Sequence, residues 1–373
     1  MSKIDDLIQE LCPDGISVRS LGDLEDSGKI KLGRGMVISK NDIADNPGSY
    51  PVYSSSATGL GEFGRYSKYM FDDERITWSV DGGGRFFHRK AHKYSVTNVS
   101  GWIKVNDTNI ITKYLYYVLD NLWLTKKFDY VKKAHPSVIR NEYNIPLPPL
   151  EVQKEIVRVL DSFTELEAEL EAELEARKKQ YKYYRNDLLI FSKSSNTVEQ
   201  KLLSEVVRIK NGKDWKVAGE GNIPVYGSGG RMSMRVDRCM YNKPTVLLPR
   251  KGTISNVFYV EEPFWNVDTV YYTEIDADVI IPKYFFYFMD NFNLSKLDTG
   301  SGRPSLIHAV LNKIRIPIPP MSRQKQIVSI LDKFEKLTSD ISVGLPAEIE
   351  ARRKQYEYYR NKLLTFKELE HSK

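Results

Sequence analysis

His88 and His92 stand four residues apart, a spacing that can bring two imidazoles to one metal ion. The stretch reads H-R-K-A-H, without the glutamate of H-E-x-x-H, and Arg89, Lys90 and Lys93 would repel a cation. Gly28-Lys-Ile-Lys-Leu-Gly33 begins like a phosphate-binding loop but continues Arg34-Gly35, where Lys and Ser or Thr are required. Glu199 and Lys201 have the E-x-K spacing of a nuclease, yet they lie in a polar linker without a suitably placed aspartate. Neither proline pair, Pro148-Pro149 or Pro319-Pro320, follows the Asn or Asp of an amino-methyltransferase N-P-P-Y motif. No catalytic residue, metal ligand or cofactor site is expected on this chain.

Recognition chemistry is better represented. Asp81-Gly82-Gly83-Gly84-Arg85 puts an arginine directly after a triple glycine, followed by Arg89 and Lys90. The second half offers Gly227-Ser-Gly-Gly-Arg231, Arg250-Lys251-Gly252, Ser255-Asn256 and Gly300-Ser-Gly-Arg303. Glycine permits close backbone approach, and Arg, Lys and Asn on loops are the groups that read base edges and hold phosphates. With Arg65, the candidate DNA contacts are Arg85, Arg89, Lys90, Arg231, Arg250, Lys251, Asn256 and Arg303.

These loops must be positioned by something, and the chain supplies it twice. I-P-L-P-P-L at residues 145–150 returns as I-P-I-P-P-M at 316–321. V-R-V-L-D-S-F returns as V-S-I-L-D-K-F, and A-R-K-K-Q-Y-K-Y-Y-R-N-D-L-L as A-R-R-K-Q-Y-E-Y-Y-R-N-K-L-L. The period is about half the chain, the mark of a duplication. Each proline pair stops the preceding element, and apolar residues then recur at three- and four-residue steps. Ile156, Leu160, Phe163 and Leu166 begin one stripe; Ile327, Leu331, Phe334 and Leu337 begin the other. Helices of roughly 40 residues, about 60 Å long, are expected to bury these stripes on each other. Gly344-Leu-Pro346 should kink or interrupt the second near residues 343–347. Three tandem E-L-E-A units (165–176) carry six Glu and no base, which makes that middle a solvated spacer held away from phosphates.

The segments before the helices echo one another at lower identity. Pro51-Val52-Tyr53 matches Pro224-Val225-Tyr226, residues 112–121 match 282–291, and Pro136–Ile139 is aligned with Pro304–Ile307. Short strand signals alternate with turns, and 112–122 reads as a helix. The loops between these elements differ, so one scaffold displays two surfaces.

Composition sets the bounds. The chain has 373 residues, 41% of them hydrophobic, enough for two or three domains. Cys12 and Cys239 give neither a disulfide framework nor a zinc site. Charged residues 3–10 and the lack of a long apolar run predict a cytoplasmic protein. A net charge of +6 is a weak argument for nucleic acid, and its distribution toward the loops a better one.

The duplicated helices, with their I-P-x-P-P openings, A-R-[KR]-K-Q-Y-x-Y-Y-R-N-x-L-L endings and tandem four-residue units, resemble the specificity (S) subunits of type I restriction-modification systems. The resemblance spans essentially the whole chain. It implies an α+β fold: two mixed α/β target-recognition domains separated by two long antiparallel helices with pseudo-two-fold symmetry. The expected boundaries are 1–144, 145–191 (central helix), 192–315 and 316–373 (C-terminal helix). It further implies that each domain reads one half of a bipartite site in double-stranded DNA. Two methyltransferase (M) subunits would dock on the helices and carry S-adenosylmethionine, and restriction (R) subunits would join through them. The duplicated Tyr181, Tyr184 and Arg185, with Tyr356, Tyr359 and Arg360, are the expected partner-binding residues. The main alternative is a coiled-coil scaffold whose globular ends bind protein; the other is a nuclease with an unrecognised site.

Overall fold

The computed structural model describes residues 3–55, 59–81, 85–126, 128, 131–191, 198–300, 302–340 and 342–369. The glycine triplet 82–84, most of the linker at 192–197, Ser301 and Ile341 lie outside them. The chain divides into two compact units, 1–169 with 350–373, and 170–349.

Among the described residues the two units are built alike. In the first, an antiparallel four-stranded sheet runs in the order Ile30–Arg34, Ser100–Val105, Arg75–Ser79, Phe86–Arg89. A three-stranded sheet places Pro47–Tyr53 between Glu62–Tyr66 and Ser95–Val96, and a ribbon pairs Val18–Ser20 with Asn144–Pro146. In the second unit the four strands are Val207–Asn211, Val270–Ile275, Thr245–Pro249 and Phe258–Val260. Its three-stranded sheet places Glu220–Gly227 between Gly230–Val236 and Trp265–Asn266. One helix covers each four-stranded sheet, Thr112–Trp123 in the first unit and Pro282–Asn291 in the second. Their apolar faces, Tyr114, Leu115 and Leu119 or Tyr284, Phe285 and Met289, are fully buried.

The ribbon of the second unit corrects one expectation. Glu199–Leu202 is not linker but a strand, antiparallel to Arg315–Ile318. Its E-Q-K-L sequence has little strand propensity, so only pairing with an apolar partner reveals it. A second correction concerns Pro304–Ile307. Ala134 and Leu306 make the same backbone bond, to the Val80 and Arg250 carbonyls respectively, so Pro136 corresponds to His308. The helices accordingly begin at Pro136 and His308.

From Pro148-Pro149 the chain enters one continuous helix, Leu150–Leu189. Its first turns serve the domain core as well as the other repeated helix, whose Leu363 and Leu364 share that core. Val152, Ile156 and Leu160 join the domain core beside Tyr114 and Leu115, and Ile327 and Leu331 do the same beside Tyr284. Helix-on-helix packing continues beyond them. In the first unit Phe163 stacks on Tyr359 at 5.4 Å and Glu167 pairs with Arg353 at 2.6 Å, which sets an antiparallel course. Five of the six spacer glutamates are exposed, as a solvated face requires.

The second repeat is interrupted as expected, a little earlier than Gly344. One helix spans Met321–Ser339 and the next Leu345–Leu363. A Cβ on Gly344 would lie 2.5 Å from the Lys336 carbonyl oxygen, so only glycine lets the chain fold back there. Pro346 is tolerated in the first turn of the new helix, where its missing N–H costs nothing.

A buried glutamine joins domain to helix in each unit. Gln153 accepts from the Ile111 N–H (2.9 Å) and donates to the Asn109 and Pro148 carbonyls (2.9 and 2.8 Å). Gln324 accepts from Ile281 and donates to Val279 and Pro319 in the same way. Gln153→Leu should leave three buried backbone groups unpaired and cost about 2 kcal/mol or more. Chemical denaturation should show that loss for Gln153→Leu and Gln324→Leu alike.

Candidate nucleic-acid interface

Three loops converge at one edge of each unit. In the second unit the Gly227–Gly230 hairpin tip, residues 249–256, and residues 298–300 and 302–306 are tied together. Gly252 N–H donates to the Pro304 carbonyl (3.1 Å), Leu306 N–H to Arg250 (2.9 Å), and Asn256 Nδ2 to the Ser228 carbonyl (3.4 Å). Lys251 and Ser305 form an isolated antiparallel bridge. In the first unit the corresponding described residues are 54–55 with 59–61, 79–81 with 85, and 131–135. Ala134 N–H donates to the Val80 carbonyl, Trp78 Nε1 donates to that of Ala134 (2.7 Å), and Ser55 bonds Ser79.

The candidate bases divide by what already holds them. Arg89, expected on a DNA-facing loop, is buried: its guanidinium donates to Thr77 Oγ1 and the Leu60 carbonyl and lies 3.6 Å from the Tyr53 ring. Burial pushes it down to about 10, a direction an arginine shows only when desolvated. Arg65 bonds Glu62 and the Ser49 carbonyl, and Arg231 reaches Glu262 at 3.5 Å. Arg250 donates to the Asp268 carbonyl, close to the Tyr271 ring. Arg85 is exposed beside Phe87, and its charge bears on Asp120. Lys90, Lys251 and Arg303 are exposed, and Asn256 is half-buried at the hairpin tip. His88 and His92 do not converge: His88 meets Glu74 at 2.6 Å, while His92 meets Tyr53 and the Lys90 carbonyl. Burial holds His88 below its ordinary value despite Glu74. Among the described residues no cluster of three or more His, Cys, Asp or Glu could hold a metal ion.

The helix ends are committed inward as well. Arg185 pairs with Asp290 at 2.5 Å and Arg360 with Asp120 at 4.0 Å, each guanidinium lying over its own Tyr181 or Tyr356 ring. Burial raises both aspartates, and the arginines oppose the shift. Tyr181 and Tyr184 pack on Phe334, and Tyr356 and Tyr359 on Phe163. The covering helix of each domain is gripped a third time. Lys113 and Tyr117 bond Asp161, and Lys283 and Tyr287 bond Asp332. The aspartate of the repeated L-D-x-F motif is therefore a docking residue, a role its sequence context gave no hint of. The most exposed of the helix-end tyrosines are Tyr183 and Tyr358, 67% and 63% exposed, against 39% for Tyr184.

A repeated scaffold carrying two unlike loop sets on a duplicated helical frame defines a class, and the comparisons agree. Residues 13–176 and 196–351 both match the type I restriction modification DNA specificity domain, and the chain belongs to that family. Its role is DNA sequence recognition, with catalysis carried by other subunits. A Mycoplasma pneumoniae protein named as a type I specificity subunit is 31% identical over 91% of this chain and 96% of its own length. The Escherichia coli EcoR124I/EcoR124II specificity subunit is 32% identical over 84% of each chain. In fold the chain is similar to the type I restriction-modification S subunit from M. genitalium. That match has a TM-score of 0.60 at 18% identity, over 94% of this chain and 96% of the other.

Removing one side of a helix-end pair isolates the other. Arg185→Ala should lower stability by about 1–2 kcal/mol, because Asp290 keeps its burial and loses its counter-charge. Adding Asp290→Asn should recover part of that loss in a double-mutant cycle followed by urea unfolding.

Proposed function

We propose that this chain is the target-reading subunit of a type I restriction-modification complex, with 1–144 and 192–315 as target-recognition domains. Segments 145–191 and 316–373 serve as spacer and docking frame. The observation that carries this is the repetition of scaffold, glutamine staple and helix grips in both units while the converging loops differ. Two different readers on one frame suit a bipartite site in duplex DNA, each domain taking one half. Methyl transfer from S-adenosylmethionine and cleavage belong to M and R subunits in the cytoplasm. Among the described residues no helix is long and apolar enough to cross a membrane, in keeping with that location.

Expressed with the methyltransferase subunits of its system, the chain should direct methylation to a bipartite motif. Each E-L-E-A unit adds about 6 Å of helix, roughly two base pairs of B-DNA at most. Deleting Glu169–Ala172 should therefore shorten the unspecified spacer by one or two base pairs and keep both half-sites. Sequencing of methylated genomic DNA reads both; methylation without a bipartite motif would sink the assignment, and an unchanged spacer the ruler.

The docking face for the methyltransferase is drawn differently from the sequence expectation. Tyr181, Arg185, Tyr356 and Arg360 hold each helix to its own unit, whereas Tyr183 and Tyr358 are mostly exposed and touch only the edge of the neighbouring tyrosine among the ring contacts described. Lys179 and Lys354 lie one turn earlier on the same face and are exposed too. Because the same residues are presented twice, two copies of one partner fit better than two different ones. The double variant Tyr183→Glu/Tyr358→Glu should keep the far-UV circular dichroism of the wild type yet lose most co-purifying methyltransferase. Full retention of the complex would place the docking face elsewhere.

A further inference from the structure

We propose that residues 298–300 and 302–306 form the base-reading element of the second unit, with Arg303 reading a guanine and Lys251 holding an adjacent phosphate. The proposal rests on the DNA-recognition reading above and names the residues that perform it. A base reader needs a free side chain on a backbone already fixed, since ordering a loop on binding subtracts from affinity.

The loop meets the second requirement. Asp298 Oδ1 accepts from the Gly300 N–H (2.8 Å) and the Ser305 N–H (2.9 Å), and Thr299 N–H donates to the Ser305 carbonyl (2.9 Å). A Cβ on Gly300 would fall 1.9 Å from the Arg303 carbonyl oxygen, so the turn closes only around glycine. The bridge from Ser305 to Lys251 then fastens the loop to the sheet edge. Asp298, the one carboxylate in the loop, is occupied by backbone N–H groups and leaves the basic side chains unneutralised.

Arg303 and Lys251 meet the first requirement. Both are exposed, and among the described residues neither has an ion-pair or side-chain hydrogen-bond partner. Arg231 and Arg250 are held by Glu262 and the Asp268 carbonyl, and they shape the edge instead of reaching from it. A free guanidinium matches guanine O6 and N7 with two parallel N–H donors, whereas an ammonium is a point charge suited to phosphate. The first unit braces its 131–134 loop at the same place but arms it differently. Lys133 pairs there with Asp81 (2.8 Å), so the two units are built to read unlike sequences.

The test uses the full chain assembled with its methyltransferase subunits, as wild type, Arg303→Ala and Lys251→Ala. Both side chains are exposed, and co-purification with circular dichroism confirms that each variant is folded and assembled. Arg303→Ala should relax one guanine position in one half-site, lowering discrimination there roughly 10- to 100-fold, with the other half unchanged. Lys251→Ala should weaken binding to every duplex alike and reduce the slope of log K against log salt by about 0.9. An unchanged motif in Arg303→Ala, uniform weakening without relaxed sequence, or loss of the methyltransferase would each overturn the assignment. A wild-type complex with no sequence preference would instead overturn the DNA-recognition reading itself.

Discussion

A glutamine amide with no water to bond to fixes where each recognition domain sits on its helix. The proline pair before the helix contributes carbonyls but no N–H groups, and the segment entering the covering helix brings an N–H of its own. Gln153 and Gln324, at 1% and 0% exposure, answer these groups with one acceptor and two donated bonds each. A buried amide satisfied at three points tolerates neither a shifted register nor a rotated helix. The Asp161 and Asp332 contacts lie further along the same face, so domain and helix are joined at two separated places. Two such places remove the freedom to pivot that one would leave.

The helix-end pair closes on the same covering helix from the end of the other repeat, where burial raises Asp120 and Arg360 opposes the shift. Arg360 and Asp120 expose only 10% and 20% of their side chains, so little water competes for either charge. The first unit needs residues 350–373 for this contact and for the pairing of Ile16 with Glu368, whereas the second is one unbroken stretch. The first unit therefore cannot complete its core, which includes Leu363 and Leu364, until the last helix has been made. Contacts of such long sequence separation are entropically expensive to close and form late.

The duplication, the covering helices, the paired strand signals at Pro51-Val52-Tyr53 and Pro224-Val225-Tyr226, and the helix break were all legible in the sequence. Each is written in a periodicity or in glycine and proline, whose backbone demands are local. Gln153 was not legible, because a glutamine in the first turns of a helix reads as solvated until the neighbouring carbonyls are known. Arg89 misled for the same reason: a basic residue after a glycine-rich turn looks exposed, and only the aromatic ring of Tyr53, 36 residues earlier, shows otherwise. In Y-K-Y-Y-R-N the spacing could not decide which tyrosine faces out. A helical step of 100° separates Tyr183 from Tyr184, and the position of Phe334 makes the choice.

Scaffold and reader draw on different residues, and this separates two kinds of change. The glutamine staples, the aspartates of L-D-x-F and the helix-end arginines all lie outside residues 249–256 and 298–306. A substitution at Arg303 or Lys251 therefore removes no contact that holds a domain to its helix. The loop backbone is fixed by Asp298, Gly300 and strand-edge bonds, none of which involves the Arg303 or Lys251 side chain. Side chains at the loop tip can thus be exchanged while the backbone that aims them stays in place. The loop tips and the contacts that hold each domain to its helix therefore share no side-chain partner, so the two can change independently.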